Sequence, residues 1–462
     1  MQDTFLGIDL GTTRLKVAII DHGQVTYQNT SALTTYSGAH GARYQSATEI
    51  LQQLTELLLG IPVEERTKIQ TIALSTAMHS TWPVDPASEQ NDQIFIWSDR
   101  QAAGVMADFR QSELSKIFYQ KTGTPIYPMT PFAKIKYFKR QMPTRYSSET
   151  KWLGLKELLL EFLTGKDVLD YPTANATGLF NIHELRWDAD ILADLDIGTQ
   201  NLAELVDWQT PLKLKQSVVS AFGLAKSVAV YPGASDGVLA AAAGLSQSGN
   251  GNSLTIGTSA AVRRVSQEIV LDSHKQNFCY YLRPKCYVIG APTNNGGVVL
   301  DWAKQIFSPG EGTAQDFYQE LSQSLTESPI GANGVLFLPF LNGERAPYWD
   351  ATLTAQFTHL WVTTTRADML RAIVEGVLLN IRLLTELVAV KEKTTASGGF
   401  FENTALSQLA ADILGVDLDV TPGNEPIAGL YSLLTGKPVI AMQRKDARQI
   451  KFDVAVHEQY RR

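Results

Sequence analysis

The sequence predicts a mixed α/β protein built of two similar lobes, and three observations carry that expectation. At 462 residues the chain exceeds what one hydrophobic core usually serves. Its opening segment alternates short β-like runs and turns, then passes through a helix into another β run. A second series of β-like runs begins near Ser253, around a turn Gly257-Thr258-Ser259 that repeats the layout of a turn near the start.

Taken in order, residues 5–9, 15–21 and 24–29 read as a three-stranded meander, with turns at Gly11-Thr12-Thr13 and His22-Gly23. Residues 48–59 place Ile50, Leu51, Leu54, Leu57 and Leu58 at three- and four-residue spacing, the stripe of an amphipathic helix, and residues 69–75 follow as a strand. Small residues at 240–244 and the polar run 246–252 read as a packed helix leading into a linker. The boundary is therefore expected near 244–252, giving one lobe over residues 1–244 and another over 245–462. In the second lobe residues 253–257, 260–265, 279–282 and 287–290 are strand-like. Residues 366–390 carry Leu370, Ile373, Val374, Val377, Leu378, Ile381 and Leu384 at helical spacing, and a further helix is expected over 404–414, after Gly398-Gly399.

Composition narrows the class. An apolar share of 44% with 19% charged residues belongs to an ordinary globular protein. Forty Lys plus Arg against 47 Asp plus Glu, a net charge of −7 with no polybasic tract, argues against a nucleic-acid partner, and an anionic ligand would need local positive groups. No apolar run approaches membrane-spanning length, and Met1-Gln2-Asp3-Thr4 leads straight into a strand without the pattern of a signal peptide, so a cytoplasmic protein is expected. Cys279 and Cys286 are too few for a disulfide framework and read as two buried thiols.

Asp9-Leu10-Gly11-Thr12-Thr13 lies where one strand ends and the next begins. A tight glycine turn there exposes backbone N–H groups beside two hydroxyls and one carboxylate, so it can cradle phosphate and, through Asp9, orient hydrated magnesium. Ile256-Gly257-Thr258-Ser259 has the same layout in the other half, and two such turns suit an ATP cleft between lobes. Lys16, three residues beyond Thr13, is placed to face phosphate or solvent. The loop Pro232-Gly233-Ala234-Ser235-Asp236-Gly237 leads into a helix and either presents Asp236 to the cleft or uses it as a helix cap.

The order and spacing of these segments resemble the FGGY carbohydrate kinases of the actin and sugar-kinase superfamily, over nearly the whole chain. The matching stretches are residues 9–16, Ser75-Thr76-Ala77-Met78-His79-Ser80, Trp97-Ser98-Asp99, residues 232–237, Gly257-Thr258-Ser259, Gly343-Glu344-Arg345-Ala346-Pro347 and residues 397–403. The resemblance implies two actin-like, ribonuclease H-like lobes with the nucleotide and substrate between them, ATP and Mg²⁺, and a small sugar or sugar acid as partner, and it leaves room for a homodimer. It implies Asp236 as the general base that takes the proton when a substrate hydroxyl attacks the γ-phosphate, with Asp9 and Asp236 at the metal. Substrate contacts carry over to Met78, His79, Asp99, Met129, Asn295 and Asp236, with the imidazole of His79 donating to a hydroxyl or, if protonated, meeting a carboxylate. The nucleotide side carries over to Gly11, Thr12, Thr13, Lys16, Gly257, Thr258, Gly297 and Asp301, and its adenine end to Gly399 and Asn403. Arg345 is expected to be structural or inter-lobe.

Within the family, Met78-His79-Ser80 followed by Pro83-Val84-Asp85, then Ile96-Trp97-Ser98-Asp99 and Pro292-Thr293-Asn294-Asn295-Gly296-Gly297, is most similar to the branch that phosphorylates gluconate. The chain departs from the usual W-x-D-x-R pattern, because Gln101 stands where arginine is expected and Arg100 precedes it. A xylulose-phosphorylating relative would differ in substrate alone. An actin-like or Hsp70-like ATPase module would keep both phosphate turns but would need neither the His79 loop nor Asp236.

Overall fold

The computed structural model describes residues 4–88, 91–143, 146–248, 251–308, 314–421, 425–437, 439 and 448–461. Residues 249 and 250, within the expected linker, lie outside the described residues. The two largest sheets, of six and seven strands, are of related design.

In the first, β1 (Thr4–Leu10), β2 (Arg14–Asp21) and β3 (Gln24–Ala32) are the antiparallel meander. β4 (Thr71–Thr76) lies parallel to β1, and β5 (Ala229–Ser235) parallel to β4. In the second, β6 (Ser253–Ile256), β7 (Ala260–Ser266) and β8 (Cys286–Thr293) repeat the meander, and β9 (Thr394–Ser397) and β10 (Leu418–Val420) repeat the parallel pair. Both sheets thus share the order third, second, first, fourth, fifth, each extended by short antiparallel edge strands. All seven residues of β1 are buried, as expected of a central strand covered on both faces.

The helices pack as their sequence stripes dictate. α1 (Ala47–Leu59) is capped by the Ser46 hydroxyl and buries Ile50, Leu54, Leu57 and Leu58. α2 (Leu155–Thr164) follows in a long segment inserted between β4 and β5, and α3 (Asp236–Ser248) leaves β5 directly. α4 (Gly297–Phe307) leads from β8, and α5 (Arg366–Val388), opened by a Thr365–Asp368 capping box, buries Leu370, Ile373, Val377, Leu378 and Ile381 in the second half. α6 (Thr404–Leu414) and α7 (Glu425–Thr435) complete the set used below.

α3 and α7 cross between the sheets, where Val238, Leu239, Ile427 and Tyr431 share an apolar cluster with Phe5 of β1 and Val288 of β8. The crossing is close enough that a methyl group on Gly429 would meet the Leu239 carbonyl oxygen at 2.3 Å, which only glycine avoids. Each fully buried Leu or Ile side chain here contributes ~1.5–3 kcal/mol relative to exposure. Cys279 and Cys286 are free and buried, and burial pushes the Cys279 thiol up to about 11. Among the described residues no helix is long and apolar enough to cross a membrane.

Candidate active site

Parallel pairing decides where the chemistry gathers. Leu10 of β1 and Ser235 of β5 are both in register with Thr76 of β4, so Gly11, Ala77 and Asp236 all leave the sheet at one edge. In the second sheet Thr255 pairs with Ser397, which brings the Gly257 turn and Gly398-Gly399 to one edge as well.

At the first edge Asp9 is buried and accepts a 2.7 Å hydrogen bond from the Ser75 hydroxyl on the neighbouring strand. The following turn is closed by the Gly11 N–H on the Arg14 carbonyl at 3.0 Å. Trp97 Nε1 donates to the Thr12 hydroxyl at 2.9 Å, tying the inserted segment to that turn. Asp236 opens α3, and its Oδ1 accepts the Gly237 N–H at 2.7 Å. Close packing around its carboxyl, and then repulsion from Asp9, push Asp236 up to about 6, against the opposing pull of the Gly237 N–H, Arg263 and Lys156. A carboxylate whose proton affinity is raised by a neighbouring carboxylate makes with it a donor set that fits a divalent cation completed by phosphate oxygens and water. Among the described residues no group of three or more acidic, His or Cys side chains is arranged to hold a metal by itself.

The loop carrying Asp236 is held from beneath. Lys156 on α2 is buried and donates to the carbonyls of Leu74, Pro232 and Ala234 at 3.2, 2.5 and 3.1 Å, with the Asp170 carboxylate 3.3 Å away. It spans an irregularity in β5 between Tyr231 and Ala234, where Gly233 turns at φ +67°. A methyl group on Gly233 would lie 2.0 Å from the Leu74 carbonyl oxygen. Gly233→Ala is therefore expected to cost more than ~1 kcal/mol and to displace Asp236. Urea denaturation together with kcat checks this: the midpoint and the turnover should fall together.

On the substrate side, a cleft of about 740 Å³ is lined by Thr12 and Thr258 from the two turns and by Trp97, Asp99, Tyr127 and Asn294. Asp99 is buried and accepts the Arg43 N–H at 2.9 Å and the Gln101 N–H at 3.2 Å, and burial raises its carboxyl above the usual range. His79 takes a left-handed backbone (φ +65°), and its Nδ1 lies 2.7 Å from the Ala176 carbonyl. Burial, and then the charge of nearby Lys134, lower His79 to about 3, so the imidazole is neutral. Of the two expected roles, donation to a hydroxyl suits this setting better than meeting a carboxylate as a cation, because desolvation disfavours the charge. The Met78 side chain lies over Gly237, next to Asp236. Met129 is buried and gives its carbonyl, with that of His79, to the ammonium of Lys134.

Asn295 also departs from expectation. It is fully buried, donating to the Gly343 carbonyl at 2.8 Å and to Glu344 at 3.2 Å, and accepting the Asn342 N–H at 3.2 Å. Its amide is consumed in a network around the buried Glu344 carboxylate, which also receives Thr293 and Asn380, so its neighbour Asn294 lines the cleft instead. Arg345 is buried, donates to the Thr293 carbonyl at 2.6 Å and lies 5.3 Å from the Trp97 ring.

On the nucleotide side, the Gly297 N–H meets the Gly257 carbonyl at 2.6 Å and the Gly296 N–H the Thr258 carbonyl at 3.2 Å, docking the start of α4 on the second turn. Methyl groups on Gly296 or Gly297 would meet that turn within 3 Å. Thr258 and Asp301 are exposed, and Gly399 faces open space, which admits a flat base. Asn403 is committed elsewhere: its Oδ1 caps α6 through the Leu406 N–H at 3.1 Å, and its Nδ2 donates to Tyr318 and Ser322. Lys16 is in register with Asp9 but lines a separate hollow with Arg14, Gln28, Thr30 and Ile427.

Sequence reasoning missed Lys134, Lys156, Arg43 and Glu344. A lysine at an apolar helix position was the available signal for the first two, since an unpaired cation is not normally buried.

Two sheets of one topology, with Thr12 and Thr258 of matching glycine turns lining a shared cleft and Asp236 beside Asp9 at the sheet edge where the first turn leaves, define an actin-like, ribonuclease H-like phosphotransferase architecture. The chain belongs to the FGGY family of carbohydrate kinases: the family's N-terminal domain matches residues 4–243 and its C-terminal domain residues 252–429. Gluconokinase from Bacillus subtilis (strain 168) is 31% identical over 459 residues, covering 95% of this chain and 88% of that protein. The crystal structure of a ligand-bound xylulose kinase from Lactobacillus acidophilus superposes with a TM-score of 0.88 at 26% identity, covering 99% of this chain and 95% of the other. A gluconate kinase from the same organism superposes with a TM-score of 0.87 at 26% identity and the same coverage.

Proposed function

We propose that this carbohydrate kinase transfers the γ-phosphate of ATP to the 6-hydroxyl of D-gluconate, giving 6-phosphogluconate and ADP. For the chemistry, the observation that carries the reading is the placement of Asp236 beside Asp9, at the edge where the first phosphate turn leaves its sheet. Asp236 accepts the hydroxyl proton as the substrate oxygen bonds to phosphorus and the bond to the ADP oxygen breaks. The Thr12, Thr13 and Thr258 N–H groups and hydroxyls hold the phosphates, while the N–H groups of Gly11, Gly257 and Gly297 are spent on shaping the two turns and Lys16 stays in its separate hollow. Asp301 and Gly399 lie along the nucleotide side. Asp9 and Asp236 would hold Mg²⁺, which would supply charge neutralisation on the phosphate oxygens. Met78, neutral His79, Asp99 and Asn294 orient the polyol chain. We place the lobe boundary at 244–245, within α3, and the enzyme in the cytoplasm, where ATP is available.

For the substrate, support comes from the 31% identity to a gluconokinase across nearly the whole chain. The xylulose kinase of equal structural likeness favours a second reading, a pentulose as acceptor. Coupled detection of ADP with gluconate, xylulose, sorbitol and glycerol separates the two. Gluconate is expected to give the highest kcat/KM, roughly tenfold or more above the neutral polyols. A higher value for xylulose would reassign the substrate while leaving the fold and Asp236 untouched.

A further inference from the structure

The wall of the substrate cleft carries two guanidinium groups that phosphoryl transfer itself does not call on. Arg43 and Arg100 line the same cleft as Thr12, Thr258 and Asn294, and both are exposed to it. Their backbones are pinned on either side of one buried carboxylate. The Arg43 N–H donates to Asp99 at 2.9 Å, and the Arg100 N–H donates to the Gly41 carbonyl at 3.1 Å. A methyl group on Gly41 would sit 3.2 Å from Arg100 Cβ, so the two segments are stacked.

Asp99 is the one acid lining this cleft among the described residues, and its two oxygens already accept N–H groups of Arg43 and Gln101. The wall therefore nets positive in a chain of net charge −7. Arg43 gives one N–H to the Ser37 hydroxyl, and Arg100 gives one to the Asn342 carbonyl at 3.0 Å. Neither is ion-paired among the described residues, and each guanidinium has five N–H donors, so both line the cleft with donors not taken up by a carboxylate.

We propose that Arg43 and Arg100 form the subsite for the carboxylate end of an aldonate, and so decide between a sugar acid and a neutral polyol. This rests on the reading of the cleft as the acceptor site of a gluconate kinase. A planar carboxylate takes paired N–H donors from guanidinium groups better than from any other side chain. The absence of arginine at Gln101 is then no loss: the cation stands one residue earlier, and the Gln101 N–H serves Asp99 instead. Arg100 also reaches across to the Asn342 carbonyl, and the Asn342 N–H donates to Asn295 in the Glu344 network, so this subsite is tied to both halves of the molecule.

Arg43→Gln, Arg100→Gln and the double variant test the assignment in the full-length enzyme, with melting curves that must overlay the wild type. Each single change is expected to lower kcat/KM for gluconate by ~10- to 100-fold, to change that for sorbitol and xylulose less than about threefold, and to leave KM for ATP unchanged. Arg100→Lys should retain part of the gluconate activity, because it keeps the charge but loses the fork. Equal losses on neutral and anionic acceptors, unchanged gluconate turnover, or a rise confined to KM for ATP overturns it, the last by showing that the pair serves the nucleotide phosphates. Wild-type enzyme that turns over xylulose and not gluconate overturns the substrate reading instead; binding of gluconate that the double variant retains in full would then overturn the subsite as well.

Discussion

Asp236→Asn is expected to lower kcat by ~10²- to 10⁴-fold while leaving the nucleotide Kd nearly unchanged. The amide keeps an oxygen to accept the Gly237 N–H, so the entry to α3 survives and the loss falls on proton acceptance and on the carboxylate's hold on Mg²⁺. The wild-type pH profile should carry the same signature. Burial and the Asp9 charge push Asp236 up to about 6, so the carboxylate is protonated below that pH and cannot take the substrate proton. Mg²⁺ on the same carboxylate would draw that value down, so the acid limb of kcat/KM should fall about tenfold per unit at a point below pH ~6 and be missing from the residual activity of the variant. A variant that retains half the wild-type kcat would remove Asp236 from the role of base.

Lys156→Met is expected to cost ~3–5 kcal/mol of stability. The ammonium is buried with the Asp170 carboxylate 3.3 Å away and serves three carbonyls around the Asp236 loop. Removing it leaves a buried charge without its counter-ion and three acceptors without a donor, which costs far more than the pair contributes when intact. Urea denaturation measures the loss. The double variant Lys156→Met/Asp170→Leu should recover much of it by removing the stranded carboxylate, and a single variant within about 1 kcal/mol of wild type would contradict the account. Activity should fall in both, because the Pro232 and Ala234 carbonyls lose the donor that holds the loop.

The meander, the helix after it and the strand at 71–76 were legible because each has a clean period, two residues in the strands and 3.6 in the helix. The same holds for α5 and α6. The inserted segment between β4 and β5 was not legible. Its strands, such as Phe180–Asn181 and Lys151–Leu153, are two or three residues long, too short for an alternation to show, and its helices carry charged residues such as Lys134 and Lys156 on buried faces.

By itself the sequence determined the two-lobed plan, the two phosphate turns and the candidate base, because glycine turns, hydroxyls and carboxylates are local and chemically explicit. Tertiary structure alone decided which of the named residues face the cleft. It buried Asn295 in the Glu344 network and brought Asn294 forward, committed Asn403 to capping α6, and left His79 neutral. It also set Arg43 beside Arg100 across 57 positions of chain, a meeting made by the hydrogen bond from the Arg43 N–H to Asp99. Such outcomes depend on desolvation and on competition for hydrogen-bond partners, and both come from residues far away in the chain.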